Sequence, residues 1–559
     1  MPEARTAARL IAESLVANGI ERVFCVPGES YLALLDALYD TSIAVIVCRH
    51  EGAAAMAAEA YGKLTGRPGI ALVTRGPGAT NASAGVHVAR HDSTPLILFV
   101  GQVPRRHLGR DAFQEIDVAA FFAPIAKAVD SIDRADRAAE VVSRAFHVAT
   151  SGRPGPVVVA LPEDVLREST TVDNAAPWQQ VHTHPGLTFM AQLQKMLWAA
   201  ARPLAIVGGS RWGEPAVAGF RRFAERFDLP VAASFRRQHL FGNDHPNYAG
   251  SLGGGADPKL LERIRAADVL LVVGARIGDF PSAGFTIIDI PEPRQALVHV
   301  HPGAEELGRL YRPTLAINAS PAAFVSALES LQPPHRAIAW TGHTKAARAD
   351  YEAWSAPVAN PGPVQLAEIL MWLRSRLPDN AIVTFGAGNY ALWVQRFFRY
   401  RRHHTQLAST SGSMGYGLPA ALSAKLAHPA VPVVCFAGDG DFQMTANDFQ
   451  TAVQFDAAIV VVVVNNGVHG TIRMHQERTY PGRQVATAIT SPDYAALARA
   501  HGGHGETVAR TEDFAAAFER ALASGKPAII DLKFDPEAST PSATLPDVRG
   551  RRVGEDDNE

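Results

Sequence analysis

The sequence predicts an α/β protein built from doubly wound parallel sheets. Short runs of apolar, β-branched residues alternate with alanine-rich helical stretches along most of the chain. The runs are apolar at nearly every position rather than at every second one, which is typical of strands that helices cover on both faces of a parallel sheet. The 559 residues allow about three or four such units, at roughly 100–200 residues per domain.

The apolar runs are predicted as strands. They occupy residues 43–48, 69–75, 95–100, 156–160, 269–273, 296–300, 431–437, 459–464 and 528–532. Helical stretches are predicted over residues 5–18, 51–65 and 512–524. This alternation indicates βαβ units, whose strands lie parallel in one sheet.

Two segments interrupt the alternation and are predicted to link domains. Residues 167–186 are polar and lack a hydrophobic period, while residues 333–363 begin with PPHR, end with NPGP and contain one short helical stretch. They divide the chain into an N-terminal domain (1–170), a central domain (186–332) and a C-terminal domain (362–540). Residues 541–559 are expected to form a polar surface tail.

Composition and charge exclude several classes of protein. The 53 Lys and Arg residues nearly balance the 55 Asp and Glu residues, for a net charge of −2, so we expect neither nucleic acid nor a membrane as a partner. The longest aliphatic run, near residues 457–464, is too short to span a bilayer. Cys25, Cys48 and Cys435 form no CxxC pair and lie in or beside apolar runs, which indicates buried, reduced thiols in a cytoplasmic protein.

The most specific signal is a pair of polar motifs, each directly after an apolar run. The first run ends in GDG (438–440), and about 25 residues later the next run ends in NNG (465–467). In a parallel sheet both motifs lie at the carboxyl ends of strands, where ligands bind. The glycines let a diphosphate approach the backbone, and the Asp439 carboxylate with the Asn466 amide suits Mg²⁺. Either motif alone is an ordinary turn, but the pair at this spacing favours a diphosphate–metal site.

A second signal is a carboxylate at the start of a predicted helix. Glu51 follows the strand predicted over 43–48 and opens the small-residue stretch EGAAAMAAEAYGKLTG. The helix macrodipole alone would favour a glutamate at this position. On the residues alone this structural role is favoured, and a catalytic role for Glu51 depends on the diphosphate–metal motifs elsewhere in the chain.

These motifs resemble the cofactor motifs of the thiamine-diphosphate (ThDP) enzymes, and nearly the whole chain is similar to the large, catalytic subunits of acetolactate synthases. The resemblance implies that domain 1–170 binds the pyrimidine ring of ThDP and that domain 362–540 binds its diphosphate. It implies a Mg²⁺ ion held by the side chains of Asp439 and Asn466 and by the backbone carbonyl of Val468. It also implies that Glu51 hydrogen-bonds the aminopyrimidine and promotes deprotonation of the cofactor carbon that attacks the substrate.

Further segments match loops that surround the cofactor in these enzymes. They are VFCVPGES (23–30), TRGPGATN (74–81) and SGSMGYGLP (411–419). Met414 corresponds to a bulky apolar residue that supports the bent cofactor, although a lone Met more often fills a core. The cofactor-binding residues implied by the resemblance are Pro27, Gly28, Glu51, Thr80, Asn81, Gly388, Ser413, Met414, Gly438, Asp439, Gly440, Asn466 and Val468.

Other positions favour the synthases over the simple decarboxylases. Phe113 and Gln114 match active-site residues of acetolactate synthases, and Arg276 matches the arginine that holds the carboxylate of the second keto acid. Several positions depart from the family's pattern: Glu163 replaces a lysine, and His475 replaces a tryptophan that influences the choice of acceptor. The family's RFDDR run reads RIGDF (276–280), and its GQHQMW segment reads GNYALW (388–393). We therefore expect a carboligase or decarboxylase of 2-keto acids with altered or unknown acceptor specificity.

The resemblance also implies ligands, assembly and a pathway. Active sites between two chains imply a homodimer or homotetramer, and the synthase family implies branched-chain amino acid biosynthesis. Such synthases bind an FAD without a redox role in the central domain, and the motif IVGGS (206–210) leaves FAD binding open. The main alternative is a 2-keto acid decarboxylase or another ThDP-dependent C–C lyase. A non-catalytic relative is disfavoured by the intact Glu51, Asp439 and Asn466.

Overall fold

The structure is a computed structural model that describes residues 4–335 and 337–550. The described chain packs into two compact units. The first consists of residues 4–181, 409–429 and 445–457, and the second of residues 182–408, 430–444 and 458–550. The predicted C-terminal domain therefore contributes two segments to the first unit.

The first unit is built on a six-stranded sheet in which all neighbouring strands are parallel. The strands of this unit are β1 (Arg5–Thr6), β2 (Arg22–Cys25), β3 (Ala44–Val47), β4 (Gly69–Val73), β5 (Leu96–Gln102), β6 (Ala128–Ser131), β7 (Pro156–Pro162) and β8 (Ser169–Thr170). The short β1 and β8 pair antiparallel, and the others lie in the order β3-β2-β4-β5-β7-β6. The direction of winding therefore changes between β2 and β4.

Helices cover this sheet and approach it closely. They are α1 (Ala7–Ala17), α2 (Leu32–Tyr39), α3 (Glu51–Thr65), α4 (Gly76–Asp92), α5 (Val118–Phe122), α6 (Ala138–Thr150) and α7 (Glu163–Arg167). Residues 52–62 of α3 are all buried. Its small side chains allow close packing, since a Cβ on Gly85 of α4 would lie 2.4 Å from the Ala55 Cβ.

The second unit contains two further parallel sheets. The strands of the first are β9 (Pro203–Val207), β10 (Val231–Ala233), β11 (Tyr248–Ser251), β12 (Val269–Val273), β13 (Ala296–His301) and β14 (Leu315–Asn318). They lie in the order β11-β10-β9-β12-β13-β14, with the switch between β9 and β12. The accompanying helices are α8 (Leu187–Ala199), α9 (Glu214–Phe227), α10 (Pro258–Ala266), α11 (Pro321–Leu328) and α12 (Thr341–Trp354).

The last sheet carries the GDG and NNG motifs. Its strands are β15 (Ile382–Phe385), β16 (Gln406–Ala408), β17 (Val433–Gly438), β18 (Val460–Asn465), β19 (His504–Val508) and β20 (Ala528–Lys533), in the order β16-β15-β17-β18-β20-β19. The remaining helices are α13 (Leu366–Arg376), α14 (Tyr390–Phe397), α15 (Gly417–Ala427), α16 (Asp439–Gln443), α17 (Phe449–Gln454), α18 (Gly470–Thr479), α19 (Tyr494–Ala500), α20 (Thr511–Ala523) and α21 (Leu545–Gly550). Of these, α15 and α17 belong to the first unit.

The predicted fold class is confirmed by these three six-stranded, all-parallel sheets. Every strand and helix predicted from the sequence is present, with ends that differ by at most two residues. The agreement follows from the strength of the signal, because a continuous apolar run flanked by helices has few other places to lie than the middle of a covered sheet.

The predicted linkers and tail differ in part from the structure. Residues 171–186 form neither helix nor strand, as expected of a linker. Residues 333–363 contain a helix, as expected, but α12 has 14 residues, and Trp340 and Tyr351 are buried in the core of the sheet formed by β9–β14. Helix α21 lies within the expected polar tail, where Leu545 and Val548 pack on Met474. Residues 551–559 lie outside the described residues.

Among the residues described, no helix combines the length and the apolar composition needed to cross a membrane. The three cysteines are free and buried, as the sequence predicts.

We expect all three thiols to be unreactive toward Ellman's reagent in the native protein at pH 8. Cys25, Cys48 and Cys435 are buried, and burial raises the pKa of Cys25 to about 12, so the reactive thiolate is scarce and inaccessible. The same sample in guanidinium chloride should react fully and serves as the control. A thiol that reacts rapidly in the native protein would contradict the packing described for it.

Candidate active site

In the first unit, Glu51 begins α3 just beyond the carboxyl end of β3. His50 caps the helix, because its Nδ1 accepts a hydrogen bond from the Gly52 N–H at 3.0 Å. Asn81 Nδ2 donates to Glu51 Oε2 at 2.9 Å. Glu51 Oε1 lies 3.3 Å from the position that a Cβ on Gly78 would take, so a larger residue there would crowd the carboxylate. The structure thus brings together Glu51 and Asn81, both predicted from the sequence.

The predicted loop after β2 packs against the loop after β4. A Cβ on Gly28 would lie 2.5 Å from the Thr74 Cβ, and Pro27 is exposed beside it. Thr80 Oγ1 donates to the Pro77 carbonyl at 3.0 Å near the start of α4. Because β2 and β4 flank the switch point of their sheet, these loops border the crevice in which such sheets bind ligands.

Phe113 and Gln114 lie in the loop after β5, against the start of α4. The Gly76 N–H donates to the Gln114 carbonyl at 2.9 Å. Glu115 holds the loop, because its carboxylate accepts hydrogen bonds from two backbone N–H groups within it. Phe113 is 76% exposed. The loop therefore presents an apolar ring at the sheet edge that carries Glu51.

A buried ionic cluster that sequence reasoning missed lies at the other end of α3. Lys63 pairs with Glu59 at 3.2 Å and with Asp92, and it donates to the Tyr416 hydroxyl at 3.1 Å. Tyr416 in turn donates to Glu59 at 2.7 Å. Asp92 accepts a hydrogen bond from the Thr410 N–H at 2.6 Å. The detectable signal was a glutamate and a lysine four residues apart in a stretch of small, buried residues.

This cluster fixes both ends of the loop that contains Ser413 and Met414. Thr410 precedes these two residues and Tyr416 follows them, so the loop is tied to α3 and α4. The Ser413 N–H donates to Ser409 Oγ at 3.1 Å. Met414 is half-buried, which leaves part of its side chain accessible for a ligand.

The backbone before Glu51 is held by a buried carboxylate from far along the chain. Asp448 accepts hydrogen bonds from the Arg49 N–H and the Thr451 hydroxyl, each at 2.9 Å. Burial raises the pKa of Asp448. The position of Glu51 therefore depends on a residue about 400 positions later, which pattern analysis of a single sequence does not reveal.

In the second unit, Asp439 begins α16 at the carboxyl end of β17 and is buried. Asp439 Oδ2 accepts hydrogen bonds from the Gly467 N–H at 2.9 Å and from Ser491 Oγ at 2.8 Å, and Oδ1 accepts one from the Gly440 N–H at 3.0 Å. Because Gly467 follows β18, the carboxylate joins the ends of two neighbouring strands. The GDG and NNG motifs are therefore adjacent.

The oxygen atoms at this junction are of the kind that Mg²⁺ prefers. Asn466 Oδ1 accepts a hydrogen bond from the Val468 N–H at 3.2 Å, so the amide and the backbone of Val468 lie together. Over the described ranges, no group of three or more His, Cys, Asp or Glu side chains could hold a metal ion. A metal at this edge would therefore depend on one carboxylate, amide and carbonyl oxygens, and a ligand phosphate.

A tyrosine–aspartate pair that the sequence analysis missed organises the loops after β15 and β17. The Tyr390 hydroxyl donates to the buried Asp441 and accepts the Gly386 N–H at 3.0 Å. The Tyr390 ring lies 3.0 Å from the Cβ position of Gly388 and 3.3 Å from that of Gly438. The pair thus fixes the glycine-containing loops relative to each other. A second acidic residue directly after the GDG motif was the available signal.

Arg276 follows β12 at the carboxyl edge of the sheet β9–β14. Its Nε lies 3.4 Å from Oε1 of the buried Glu306, whose other oxygen pairs with Arg309 at 3.0 Å. Arg276 is thus an ion-paired residue in this structure.

The glycines of the IVGGS motif are accounted for by packing. A Cβ on Gly208 would lie 2.6 Å from the Ser234 Cβ, and one on Gly209 would lie 1.9 Å from the Gly274 carbonyl oxygen. Neighbouring strand ends therefore require both glycines. The motif gives no support of its own to FAD binding.

Glu163 and His475, two of the positions that depart from the family's pattern, lie in different settings. Glu163 begins α7, and its carboxylate pairs with Arg75 at 2.9 Å. His475 is exposed on α18.

Comparisons with protein families match a part of each of the three sheets. Residues 5–121 match the N-terminal TPP binding domain of thiamine pyrophosphate enzymes, residues 190–328 match the central domain, and residues 386–532 match the C-terminal TPP binding domain, where TPP is ThDP. The chain belongs to the thiamine pyrophosphate enzymes.

The relatives of this thiamine pyrophosphate enzyme include acetolactate synthases. It is 31% identical to the acetolactate synthase isozyme 2 large subunit of Escherichia coli (strain K12), over 94% of the chain and 95% of that protein. It is 29% identical to the probable acetolactate synthase large subunit of Methanocaldococcus jannaschii, over 96% of the chain and 93% of that protein. It is 31% identical to the acetolactate synthase large subunit of Parasynechococcus marenigrum, over 95% of the chain and 88% of that protein. The chain is therefore an acetolactate synthase-like, ThDP-dependent enzyme of the transferase or lyase type.

Replacing Lys63 with Met should destabilise this thiamine pyrophosphate enzyme by about 3–5 kcal/mol at pH 8, because it leaves two buried carboxylates without their cation. Burial raises the pKa of Glu59, and loss of Lys63 raises it further, so the variant loses stability as the pH rises through that pKa. The deficit should shrink at pH 5, where the carboxyl takes up a proton. Denaturant unfolding at both pH values measures the effect.

The matched control for this variant is Lys345→Met, which changes an exposed lysine in α12. We expect a change of less than about 0.5 kcal/mol there, as is usual for surface substitutions. A Lys63→Met protein as stable as the control at pH 8 would contradict the stabilising role of this cluster.

Proposed function

We propose that the protein is a ThDP- and Mg²⁺-dependent carboligase that decarboxylates a 2-keto acid such as pyruvate and transfers the acyl group to a second keto acid or an aldehyde. The observation that carries this proposal is the junction at Asp439, where the carboxylate joins the GDG and NNG motifs at neighbouring strand ends. The names of the relatives support the acetolactate synthase reaction.

The residues around Asp439 suit the diphosphate of ThDP, and those around Glu51 suit its aminopyrimidine ring. The side chains of Asp439 and Asn466 and the carbonyl of Val468 would hold Mg²⁺, which would bind the diphosphate. The backbone at Gly388, Gly438 and Gly440 would lie along the diphosphate, because no side chain there stands between the backbone and a ligand. Pro27, Gly28, Thr80, Asn81, Ser413 and Met414 would surround the remainder of the cofactor.

Glu51 would hydrogen-bond the aminopyrimidine ring and move a proton at its nitrogen. Asn81 fixes the orientation of the Glu51 carboxylate through its 2.9 Å hydrogen bond. When bound, ThDP supplies the carbon nucleophile and the electron sink that decarboxylation requires. An apolar setting favours loss of CO₂ because charge is dispersed in that step, and Phe113 and Met414 would provide apolar surface beside the reacting atoms.

The proposed assembly is a homodimer or homotetramer with active sites at the chain interface. The exposed apolar side chains of Phe113 (76%), in the loop after β5, and of Leu32 (57%), at the start of α2, support burial by a partner or a ligand. The three buried thiols support a reducing, cytoplasmic location. A role in branched-chain amino acid biosynthesis rests on the family resemblance alone. FAD stays outside the proposal, since packing accounts for the IVGGS glycines.

Incubation with ThDP, Mg²⁺ and pyruvate should yield acetolactate, identified by mass spectrometry. Chelation with EDTA should abolish the product and Mg²⁺ should restore it, because the diphosphate contacts depend on the metal. Asp439→Ala serves as the negative control. Free acetaldehyde without acetolactate would instead establish the alternative, a 2-keto acid decarboxylase or another ThDP-dependent lyase, which the departures at Glu163 and His475 favour.

Replacing Glu51 with Gln should leave ThDP binding largely intact and slow exchange of the cofactor C2 proton by about 10²–10⁴-fold, the usual contribution of acid–base catalysis. Binding is measured by calorimetry and exchange by NMR in deuterated buffer. Glu21→Gln, an exposed substitution in the same unit, is the matched control. Unchanged exchange in Glu51→Gln would overturn the assigned role of this residue.

A further inference from the structure

Asp448 is a buried carboxyl group of the first unit that the proposed function does not use. It immediately precedes α17 and is fully buried. Its Oδ1 accepts hydrogen bonds from the Arg49 N–H and from the Thr451 hydroxyl, each at 2.9 Å. Its Oδ2 is buried and accepts no hydrogen bond within the described part of the chain. One oxygen therefore does all the binding, and one of its two partners belongs to the segment before Glu51.

The bond to Arg49 continues the hydrogen bonding of the sheet by one residue. The Cys48 N–H still donates to a backbone carbonyl near β3, that of Cys25 at the end of β2, at 2.8 Å. At the next residue, the Arg49 N–H donates to the Asp448 carboxyl instead. A backbone N–H that is shielded from water needs an acceptor, and here a side chain supplies it. Asp448 thus takes the place of a neighbouring strand where the chain leaves the sheet.

Only His50 separates this bond from Glu51, the first residue of α3. His50 caps the helix, because its Nδ1 accepts a hydrogen bond from the Gly52 N–H at 3.0 Å. The backbone is therefore held on both sides of Glu51, by Asp448 before it and by the cap after it. Because a side chain projects from its own backbone in a few defined rotamers, the position of the Glu51 carboxylate depends on both bonds.

The surroundings of Asp448 suit an uncharged carboxyl group. Burial raises the pKa of Asp448, which favours its protonated form. Burial and, after it, the adjacent Asp448 carboxyl raise the pKa of the Cys48 thiol, so this neighbour is uncharged as well. A protonated carboxyl still offers an acceptor oxygen. It also adds no negative charge near Glu51, where such a charge would make the glutamate hold its proton more tightly.

We propose that Asp448 is a positioning residue that fixes the backbone from which the Glu51 carboxylate reaches the cofactor, a role that rests on the proposed function. Proton transfer requires hydrogen-bond distance between Glu51 and the aminopyrimidine ring. A misplacement of about 1 Å in such a group can cost about 100-fold in rate. Asp448 acts through the Arg49 N–H rather than by contact with the reacting atoms.

The turn that contains Asp448 also binds the loop that contains Met414, through a different residue. The Asp448 N–H donates to the Thr445 carbonyl at 2.9 Å, and Thr445 Oγ1 donates to the Gly415 carbonyl at 2.8 Å. Thr445 is buried. A substitution of Thr445 therefore disturbs the same turn without removing the acceptor of the Arg49 N–H. The two residues allow a positioning effect on Glu51 to be separated from a general effect on the turn.

The first test measures exchange of the C2 proton of ThDP by NMR, with the full-length protein, Mg²⁺ and saturating ThDP. Asp448→Ala should slow exchange about 10- to 100-fold. Asp448→Asn should stay within about threefold of the wild type, because its amide keeps an acceptor oxygen and carries no charge. Thr445→Val should instead weaken ThDP binding about 3- to 10-fold, the usual effect of one lost hydrogen bond, and leave exchange at saturation unchanged.

The matched control is Gln454→Ala. Gln454 is exposed and accepts a hydrogen bond from the Arg49 side chain at 2.6 Å, so this variant alters a contact of Arg49 but keeps the bond to its backbone N–H. Both the exchange rate and the affinity for ThDP should equal those of the wild type.

Hydrogen–deuterium exchange of the protein, followed by mass spectrometry, gives a readout that needs no cofactor. Peptides covering residues 48–54 should exchange faster in Asp448→Ala, since the Arg49 N–H loses its acceptor, and should stay protected in Asp448→Asn. If the wild type forms no ketol and does not activate ThDP but shows this order, the proposed function fails, while positioning of the Glu51 segment by Asp448 stands.

Two results would refute this role of Asp448. One is C2 exchange in Asp448→Ala as fast as in Gln454→Ala. The other is exchange as slow in Asp448→Asn as in Asp448→Ala, which would show that a charge rather than an acceptor oxygen is required. Thermal unfolding of each variant separates these results from a failure to fold. If Asp448→Ala does not fold, Asp448→Leu, which fills the space without an acceptor, replaces it in both measurements.

Discussion

The part of the site in the first unit depends on one buried cation. Lys63 lies among Glu59, Asp92 and Tyr416, and taking such charges out of water is favourable only when every group is paired and hydrogen-bonded. Glu59 lies eight residues after Glu51 in the same helix, or about 12 Å along its axis. The contact that fixes the Met414 loop is therefore remote from the reacting groups and leaves them free for chemistry.

The same physical arrangement recurs at the strand ends of all three sheets. An acidic side chain there binds more than one partner: Asp439 joins two strand ends, Glu163 binds Arg75 and Arg167, and Glu306 binds Arg276 and Arg309. Parallel strands end together, so a single carboxylate can reach loops that are distant in sequence. Shared carboxylates give the loops fixed positions.

Features that depend on a local sequence pattern, such as strands and cofactor motifs, were predicted from the sequence. Contacts between residues far apart in the chain, which depend on the fold, were missed. Continuous apolar runs located nine of the described strands to within two residues, and the GDG and NNG motifs located Asp439 and Asn466. Tyr390 and Asp441 are separated by 51 positions in the chain, and Arg49 and Asp448 by about 400. Neither contact can therefore be recognised from a local sequence pattern. His403 stacks on His239, and burial lowers the pKa of His403 to about 3, a setting that the local sequence around His403 does not indicate.

The division of the chain between its two units affects the order in which the protein can fold on the ribosome. Helix α3 is complete at residue 65, but α15, which packs against it, ends at residue 427. At about 5–20 residues per second, the roughly 360 intervening residues take about 20 to 70 s to synthesise. During that time α15 has not been completed, so the small-residue surface of α3 against which it packs stays uncovered by it. A nascent chain of this kind has a long interval in which chaperones can bind the helix that carries Glu51.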